Sequence, residues 1–95
     1  MGRFRLSPRA TADLSEIRRY IALDNPAAAD RLVGEFFDLF QLLAKNPKIG
    51  QQRDELRPNL RSMSHGKYVV FFYPMSGGCE IVGVVHGARD VDTLF

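Results

Sequence analysis

The sequence predicts an α+β fold: an N-terminal strand, an antiparallel helical hairpin, and then a three-stranded antiparallel meander, all in one small sheet. Two adjacent segments carry apolar residues at helical spacing, and each begins with a helix-start signal. Two runs of aromatic and β-branched residues follow them at 68–73 and 81–85, with Gly77 and Gly78 in between. This last pattern is typical of a β-hairpin.

A short strand is predicted at 3–6, and the first helix follows it directly. Ser7 precedes Pro8, as expected for an N-cap and the first helical residue. The helix is predicted to end near Leu23, because a second start signal follows that residue. Its apolar stripe consists of Ala10, Leu14, Ile17 and Ile21.

The second helix is predicted from Asn25 and Pro26 to about Lys45, and the short turn before it makes the helices antiparallel neighbours. This helix is more apolar than one buried stripe requires, because Leu39 widens the stripe and Leu42 falls outside it. Two interpretations stay open: contact with both the sheet and the first helix, or a docking groove for another chain. The predicted core face consists of Ala29, Leu32, Val33, Phe36, Phe40 and Leu43.

An irregular connector is predicted after the second helix, because Gly50 and Pro58 interrupt regular structure. The meander follows, with strands predicted at 60–64, 67–73 and 81–85. Together with the N-terminal strand, these make a sheet of four antiparallel strands with the helices on one face. The 95 residues are expected to form a single domain spanning 1–95, because they suffice for one modest core.

Composition limits the class of protein. Hydrophobic residues make up 45% and charged residues 25%, which is ordinary for a soluble globular chain. No apolar run approaches the roughly 18 residues that cross a bilayer, and no signal-peptide core follows Arg3 and Arg5. The single Cys79 excludes an internal disulfide and suits a reducing compartment, so a cytoplasmic location is expected.

The net charge of +2 is distributed unevenly. Residues 1–9 carry three arginines and no acid, and residues 47–73 carry five basic residues against two acidic ones. A basic flank that faces an anionic partner and a merely solvated surface are both compatible with this distribution.

Neither a metal nor a cofactor is expected. The side chains of His65, Cys79 and His86 have no recurrent metal-ligand spacing. A phosphate-binding loop needs a helix after its glycines, whereas Gly77 and Gly78 precede a predicted strand.

One catalytic alternative involves His86. An RNA-cleaving site needs a base, an acid and basic side chains that hold the phosphate. His86 and Arg89, with Arg61 or Lys67, supply part of this set. The competing interpretation is that His86 ends a strand and bonds locally. It is favoured because no second acid–base group is placed beside His86, and residues 91–95 contain no Tyr, Lys or His.

Five segments, taken in order, form a recognisable pattern. They are LSPRATADLSEI at 6–17, NPAAADRLV at 25–33, LAKNPKIGQQRDELRPNLRS at 43–62, HGKYVVFFY at 65–73 and IVGVVHGARD at 81–90. The most specific part is a P-x-x-G followed by R-x-E-L-R-x-x-L-R. In this order the segments resemble the ParE-type toxins of the RelE/ParE superfamily, the toxic halves of bacterial type II toxin–antitoxin modules.

The resemblance implies the small toxin fold, an antiparallel sheet backed by a helical hairpin, in agreement with the elements predicted above. It implies a toxin that is not an enzyme and that binds DNA gyrase, stalling it with cleaved DNA. The implied partner is a ParD-like antitoxin, which binds operator DNA through its N-terminal half and wraps the toxin with its flexible C-terminal half. Contact with operator DNA is then only indirect.

The RelE-type branch of the superfamily instead cleaves messenger RNA on the ribosome. It uses an Arg on a late strand, and often a Tyr or His near the end. In this chain Gly83 stands where many relatives of both branches carry that Arg, and the chain ends at Phe95 without a Tyr or His. Three hypotheses stay open: a gyrase inhibitor, a ribosome-dependent mRNA endoribonuclease, and an inactive homologue that only binds its antitoxin and tunes operon autoregulation.

The excess apolar surface is interpreted as antitoxin-binding. A disordered segment that folds on binding needs apolar surface to offset its ordering entropy, and arginines pair with acids on such a segment. The predicted antitoxin-binding residues are Tyr20, Leu23, Leu39, Leu42, Arg57 and Arg61.

The C-terminal segment is the predicted gyrase contact, because apolar residues follow a charged knuckle there. The open alternative is that the last apolar residues simply pack against the sheet. The predicted gyrase-binding residues are His86, Arg89, Asp90, Leu94 and Phe95.

Overall fold

A computed structural model of the chain describes residues 2–87 and has the predicted α+β architecture. The predicted gyrase contacts Arg89, Asp90, Leu94 and Phe95 lie outside these described residues. Two helices pack on one face of a five-stranded sheet with the order β1-β5-β4-β3-β2. In chain order, the elements are β1 (Arg3–Leu6), α1 (Pro8–Ala22), α2 (Pro26–Lys45), β2 (Gln51–Gln52), β3 (Arg61–His65), β4 (Tyr68–Met75) and β5 (Gly78–His86).

Both helices begin at the predicted residues. The Ser7 hydroxyl accepts a hydrogen bond from the Ala10 N–H at 3.0 Å, and the Asn25 side-chain oxygen accepts one from the Ala28 N–H at 3.0 Å. Each cap satisfies an N–H that has no partner inside its helix. The observed ends of both helices agree with the prediction to within one residue. Neither of these helices of the described chain has the length and apolar character that a bilayer crossing requires.

The prediction of an entirely antiparallel, four-stranded sheet is wrong in two respects. β1 runs parallel to β5, with Arg3 opposite Gly78 and Leu6 opposite Ile81. The connector also contributes β2, which pairs with β3. Parallel pairing needs a long crossover connection, which the helical hairpin supplies. The sequence did not reveal the strand direction, because side chains alternate in the same way in parallel and antiparallel strands. The predicted meander of β3, β4 and β5 is confirmed.

The main core lies between the helices and one face of the sheet. Phe36 and Phe40 of α2 are fully buried, with ring centroids 6.2 Å apart. Burial also raises the pKa of the Cys79 thiol to about 11, because the thiolate is poorly solvated there. The buried members of this core are Ala10, Leu14, Phe36, Phe40, Leu43, Ala44, Val70, Phe72, Cys79, Ile81 and Val84.

The other face of the sheet carries a smaller apolar cluster, which residues 53–60 of the connector cover. Leu60 and Phe71 are buried in it. The Arg53 guanidinium lies 5.4 Å from the centroid of the Phe71 ring and donates hydrogen bonds to Glu55 at 2.8 Å and Ser62 at 3.3 Å. Apart from the two residues of β2, the connector is irregular, as its glycine and proline predict, and it also packs as a cover for this face.

Candidate protein-docking surfaces

A groove of about 630 Å³ lies between α1 and the last residues of β5. We call it the α1–β5 groove. The α1 side contributes Ile17 and Tyr20, and Leu23 follows at the end of the helix; Tyr68 and His86 line the strand side. The side chains of Tyr20 and Leu23 are 75% and 84% exposed, so two large apolar groups stand at the rim. Contact of these two residues with an antitoxin stays a prediction.

The groove exists because β1 is shorter than β5. β1 ends at Leu6, and beyond that point α1 lies beside the edge of β5. The Ser7 hydroxyl donates to the Val82 carbonyl at 3.2 Å, and the Asp13 carboxylate accepts from the Val84 N–H at 2.9 Å. Asp13 also accepts from Arg9 at 2.8 Å. Asp13 lies outside the predicted apolar stripe of α1, and nothing near it in the sequence indicates that its partner is a backbone N–H 71 residues away.

His86, the one predicted gyrase contact among the described residues, lies at the strand side of this groove. It ends β5 opposite Tyr68, and the two rings meet edge to face with centroids 5.5 Å apart. Next to this pair, the Gly87 N–H donates to the Lys67 carbonyl at 2.7 Å, which continues the β4–β5 pairing by one residue. The groove therefore brings together residues predicted for two different partners: Tyr20 and Leu23 for the antitoxin, and His86 for gyrase.

The two predicted antitoxin residues on α2 lie elsewhere. The Leu42 side chain is 48% exposed, whereas Leu39 is half-buried and packs against the main core. α2 places Leu42 about 24 Å from the tip of the hairpin, at about 1.5 Å per residue, so it does not share a patch with Leu23. A single partner reaches both positions only if it is extended along the hairpin.

Arg61 has a structural role that its sequence position did not reveal. Its guanidinium donates to the Lys48 carbonyl at 2.6 Å and approaches the Gly50 carbonyl at 3.5 Å, which ties the connector to β3. Arg57 lies in the connector itself, exposed at the surface. Contact of either arginine with an antitoxin stays a prediction.

His65, Cys79 and His86, the side chains that could in principle bind a metal, lie in three different environments. His65 pairs with Glu35 of α2 at 2.8 Å, Cys79 lies in the core, and His86 lines the groove. Within residues 2–87, no group of three or more His, Cys, Asp or Glu side chains is arranged to hold a metal ion.

Comparisons with known proteins agree with the resemblance read from the sequence. Residues 4–91 match the family described as "ParE toxin of type II toxin-antitoxin system, parDE". A protein named Toxin ParE1 from Mycobacterium tuberculosis (strain CDC 1551 / Oshkosh) is 34% identical over 96 residues, covering 95% of this chain and 94% of that protein. A Toxin ParE1 from Caulobacter vibrioides is 35% identical over 85 residues, covering 87% and 86%.

The fold is similar to that of a chain in a solved structure described as "Chromosomal ParDE TA system from P. aeruginosa". The TM-score is 0.75 at 20% identity, over 92% of this chain and 97% of that one. These findings define the class of protein: a toxin of a type II toxin–antitoxin system. Within that class, the chain belongs to the ParE toxin family.

Proposed function

We propose that this chain inhibits DNA gyrase by binding it, and that a ParD-like antitoxin neutralises it in the cytoplasm. The observation that carries the proposal is membership of the ParE family across nearly the whole chain. The toxin acts through its surface, without catalytic residues, cofactor or metal. Contact with operator DNA comes only through the antitoxin.

The arrangement around His86 favours binding over RNA cleavage. Arg61, a candidate for holding phosphate, pairs with Phe72 on β4, whereas His86 pairs with Tyr68. Four residues along a strand separate these two positions by about 13 Å. The Arg61 guanidinium is also engaged with connector carbonyls. The RelE-like ribonuclease alternative therefore lacks one of its proposed phosphate contacts near the imidazole.

The shared groove supports a simple mode of neutralisation. Tyr20 and Leu23 offer apolar surface to a partner segment that orders on binding, and His86 lies across the same groove. An antitoxin segment seated on Tyr20 and Leu23 then blocks the approach of gyrase to His86. The antitoxin and gyrase then exclude each other because their contact sites on the toxin overlap, and the toxin need not change its shape.

A supercoiling assay with purified gyrase tests the proposed target. We expect the chain to inhibit supercoiling and to accumulate cleaved DNA, and we expect prior addition of the antitoxin to prevent both effects. Intact supercoiling together with discrete cuts in ribosome-bound message, lost in His86→Ala, would establish the ribonuclease alternative. Antitoxin binding without either activity would identify the inactive homologue.

Leu23→Asp tests the antitoxin contact. We expect this change to weaken antitoxin binding by about 10- to 100-fold, because it places a charge where an apolar partner residue must be buried. The fold should be unaffected, since Leu23 is 84% exposed. Ala27→Asp is the matched control: it adds the same charge at an exposed site of the first turn of α2, where a helix accepts an acid well. Isothermal titration calorimetry measures the antitoxin affinity of both variants. Equal affinities for the two variants would show that the groove is not part of the antitoxin site.

A further inference from the structure

The last part of β5 directs its backbone groups differently from the first part, because a bulge lies between them. The register with β4 skips from Gly83 to Ile81, so Val82 has no partner in that ladder. Before the bulge, the Ile81 carbonyl faces β1 and accepts from the Ser7 N–H at 2.9 Å. Backbone direction alternates with a period of two along a strand, and the bulge adds one residue. Beyond it, the Val84 N–H is therefore turned away from β4 and toward α1.

This N–H has its acceptor on α1. The Asp13 carboxylate accepts from the Val84 N–H at 2.9 Å with one oxygen and from the Arg9 Nε at 2.8 Å with the other. Val84 is 3% exposed and the Asp13 side chain 12%, so water has little access to the bond. The carboxylate takes the place of a carbonyl on a neighbouring strand, beyond the point where β1 ends. We call this hydrogen bond the Asp13–Val84 anchor.

The anchor lies two residues from His86. Val84 and His86 share a face of the sheet, and both line the α1–β5 groove. Tyr68 contacts His86 from the β4 side, with ring centroids 5.5 Å apart. On the α1 side, any widening of the groove at this point would separate the buried Val84 N–H from its acceptor, which is unfavourable. The anchor therefore fixes the distance between α1 and the strand end that carries His86.

We infer that Asp13 is a positioning residue of the α1–β5 groove, which holds the end of β5 against α1 and thereby sets where His86 meets a partner. Asp13 acts through His86 and not by touching the partner, since both of its carboxylate oxygens already accept hydrogen bonds. The role requires an acceptor at this point and not a charge. This inference rests on the proposed function, because gyrase is the partner proposed to contact His86.

The supercoiling assay tests the need for an acceptor. Asp13→Ala removes it, and we expect the concentration for half-inhibition of gyrase to rise about tenfold. Asp13→Asn keeps a carbonyl oxygen that accepts from an N–H, so inhibition should stay within about twofold of the unaltered chain. Asp30→Ala is the matched control: it also removes a carboxylate that pairs with an arginine at 2.8 Å, but at an exposed site between the helices. It should leave inhibition unchanged.

A double variant tests whether Asp13 acts through His86. We expect Asp13→Ala to cause no further loss of inhibition in a chain that already carries His86→Ala, because the side chain that the anchor positions is gone. A role in general stability would instead lower inhibition in both backgrounds. Losses that add in the double variant overturn the inference, and so does an Asp13→Asn chain that inhibits as weakly as Asp13→Ala.

Replacement of the Val84 amide by an ester removes the donor and leaves every side chain in place. Such a full-length chain is made by joining a 1–78 thioester to a synthetic peptide that begins at Cys79. We expect it to inhibit as weakly as Asp13→Ala, and it replaces that variant if the alanine chain does not fold. An ester chain that inhibits as strongly as an all-amide chain made in the same way overturns the inference.

NMR of the unbound chain separates this inference from the proposed function. We expect Asp13→Ala to speed hydrogen exchange at the Val84 amide and to shift the ring resonances of His86, and we expect Asp13→Asn to restore both. Unchanged His86 resonances in Asp13→Ala overturn the positioning role whatever the effect on gyrase. If the unaltered chain does not inhibit gyrase while these NMR changes occur, the proposed target is wrong and the positioning of His86 by Asp13 is supported.

Discussion

Phe40→Ala is expected to lower the free energy of unfolding by about 3–5 kcal/mol. Phe40 is fully buried, and its ring centroid lies 5.5 Å from that of Phe4 and 6.2 Å from that of Phe36. Truncation leaves a cavity between α2 and β1 that these rigid rings do not fill. Small domains are stable by only about 5–15 kcal/mol, so this one change removes a large share of the total. Urea unfolding followed by circular dichroism measures the loss.

Phe37→Ala is the matched control on the same helix. Its ring centroid is 5.6 Å from that of Phe40, but the side chain is 37% exposed, so water already reaches part of the site. We expect less than half the loss of Phe40→Ala, because no closed cavity remains. Equal losses for the two variants would show that burial in the main core does not control the stability of this helix. Alkylation of Cys79 gives an independent measure, since the thiol is buried and becomes reactive only on unfolding.

Gly78→Ala is expected to separate β1 from β5 and to cost about 3 kcal/mol. A Cβ on Gly78 would overlap the carbonyl oxygen of Arg3, which belongs to the partner strand of the parallel ladder. The clash is with backbone, which cannot rotate away as a side chain does. We expect the Arg3 and Ser7 amides to lose their exchange protection, while the amides that pair β3 with β4 keep theirs.

Gly34→Ala is the control for this prediction. It makes the same chemical change on the exposed face of α2, where an added Cβ contacts nothing within 4 Å. We expect it to raise the free energy of unfolding by about 0.5–1 kcal/mol, because alanine loses less backbone entropy than glycine in a helix. A Gly78→Ala protein with wild-type stability and full protection at Arg3 would contradict the close approach of the two strands.

Sequence alone determined those features of this protein that depend on near neighbours in the chain. Ser7 and Asn25 were predicted as helix caps and are found as caps, because a cap bonds to an N–H only three residues away. The buried face of α2 at Phe36 and Phe40 followed from helical spacing in the same way. The resemblance to ParE-type toxins was also recognised from the order of the sequence segments between residues 6 and 90.

Only the tertiary structure decided what depends on residues far apart in the chain. The parallel direction of β1, the hydrogen bond from Val84 to Asp13 and the anchoring of Arg61 each join distant parts of the molecule. Tyr20 and His86 are also distant in the chain, and only the fold places them in one groove. The physical reason is that side-chain pattern records which face of an element is apolar. It does not record which neighbour that face or edge will meet.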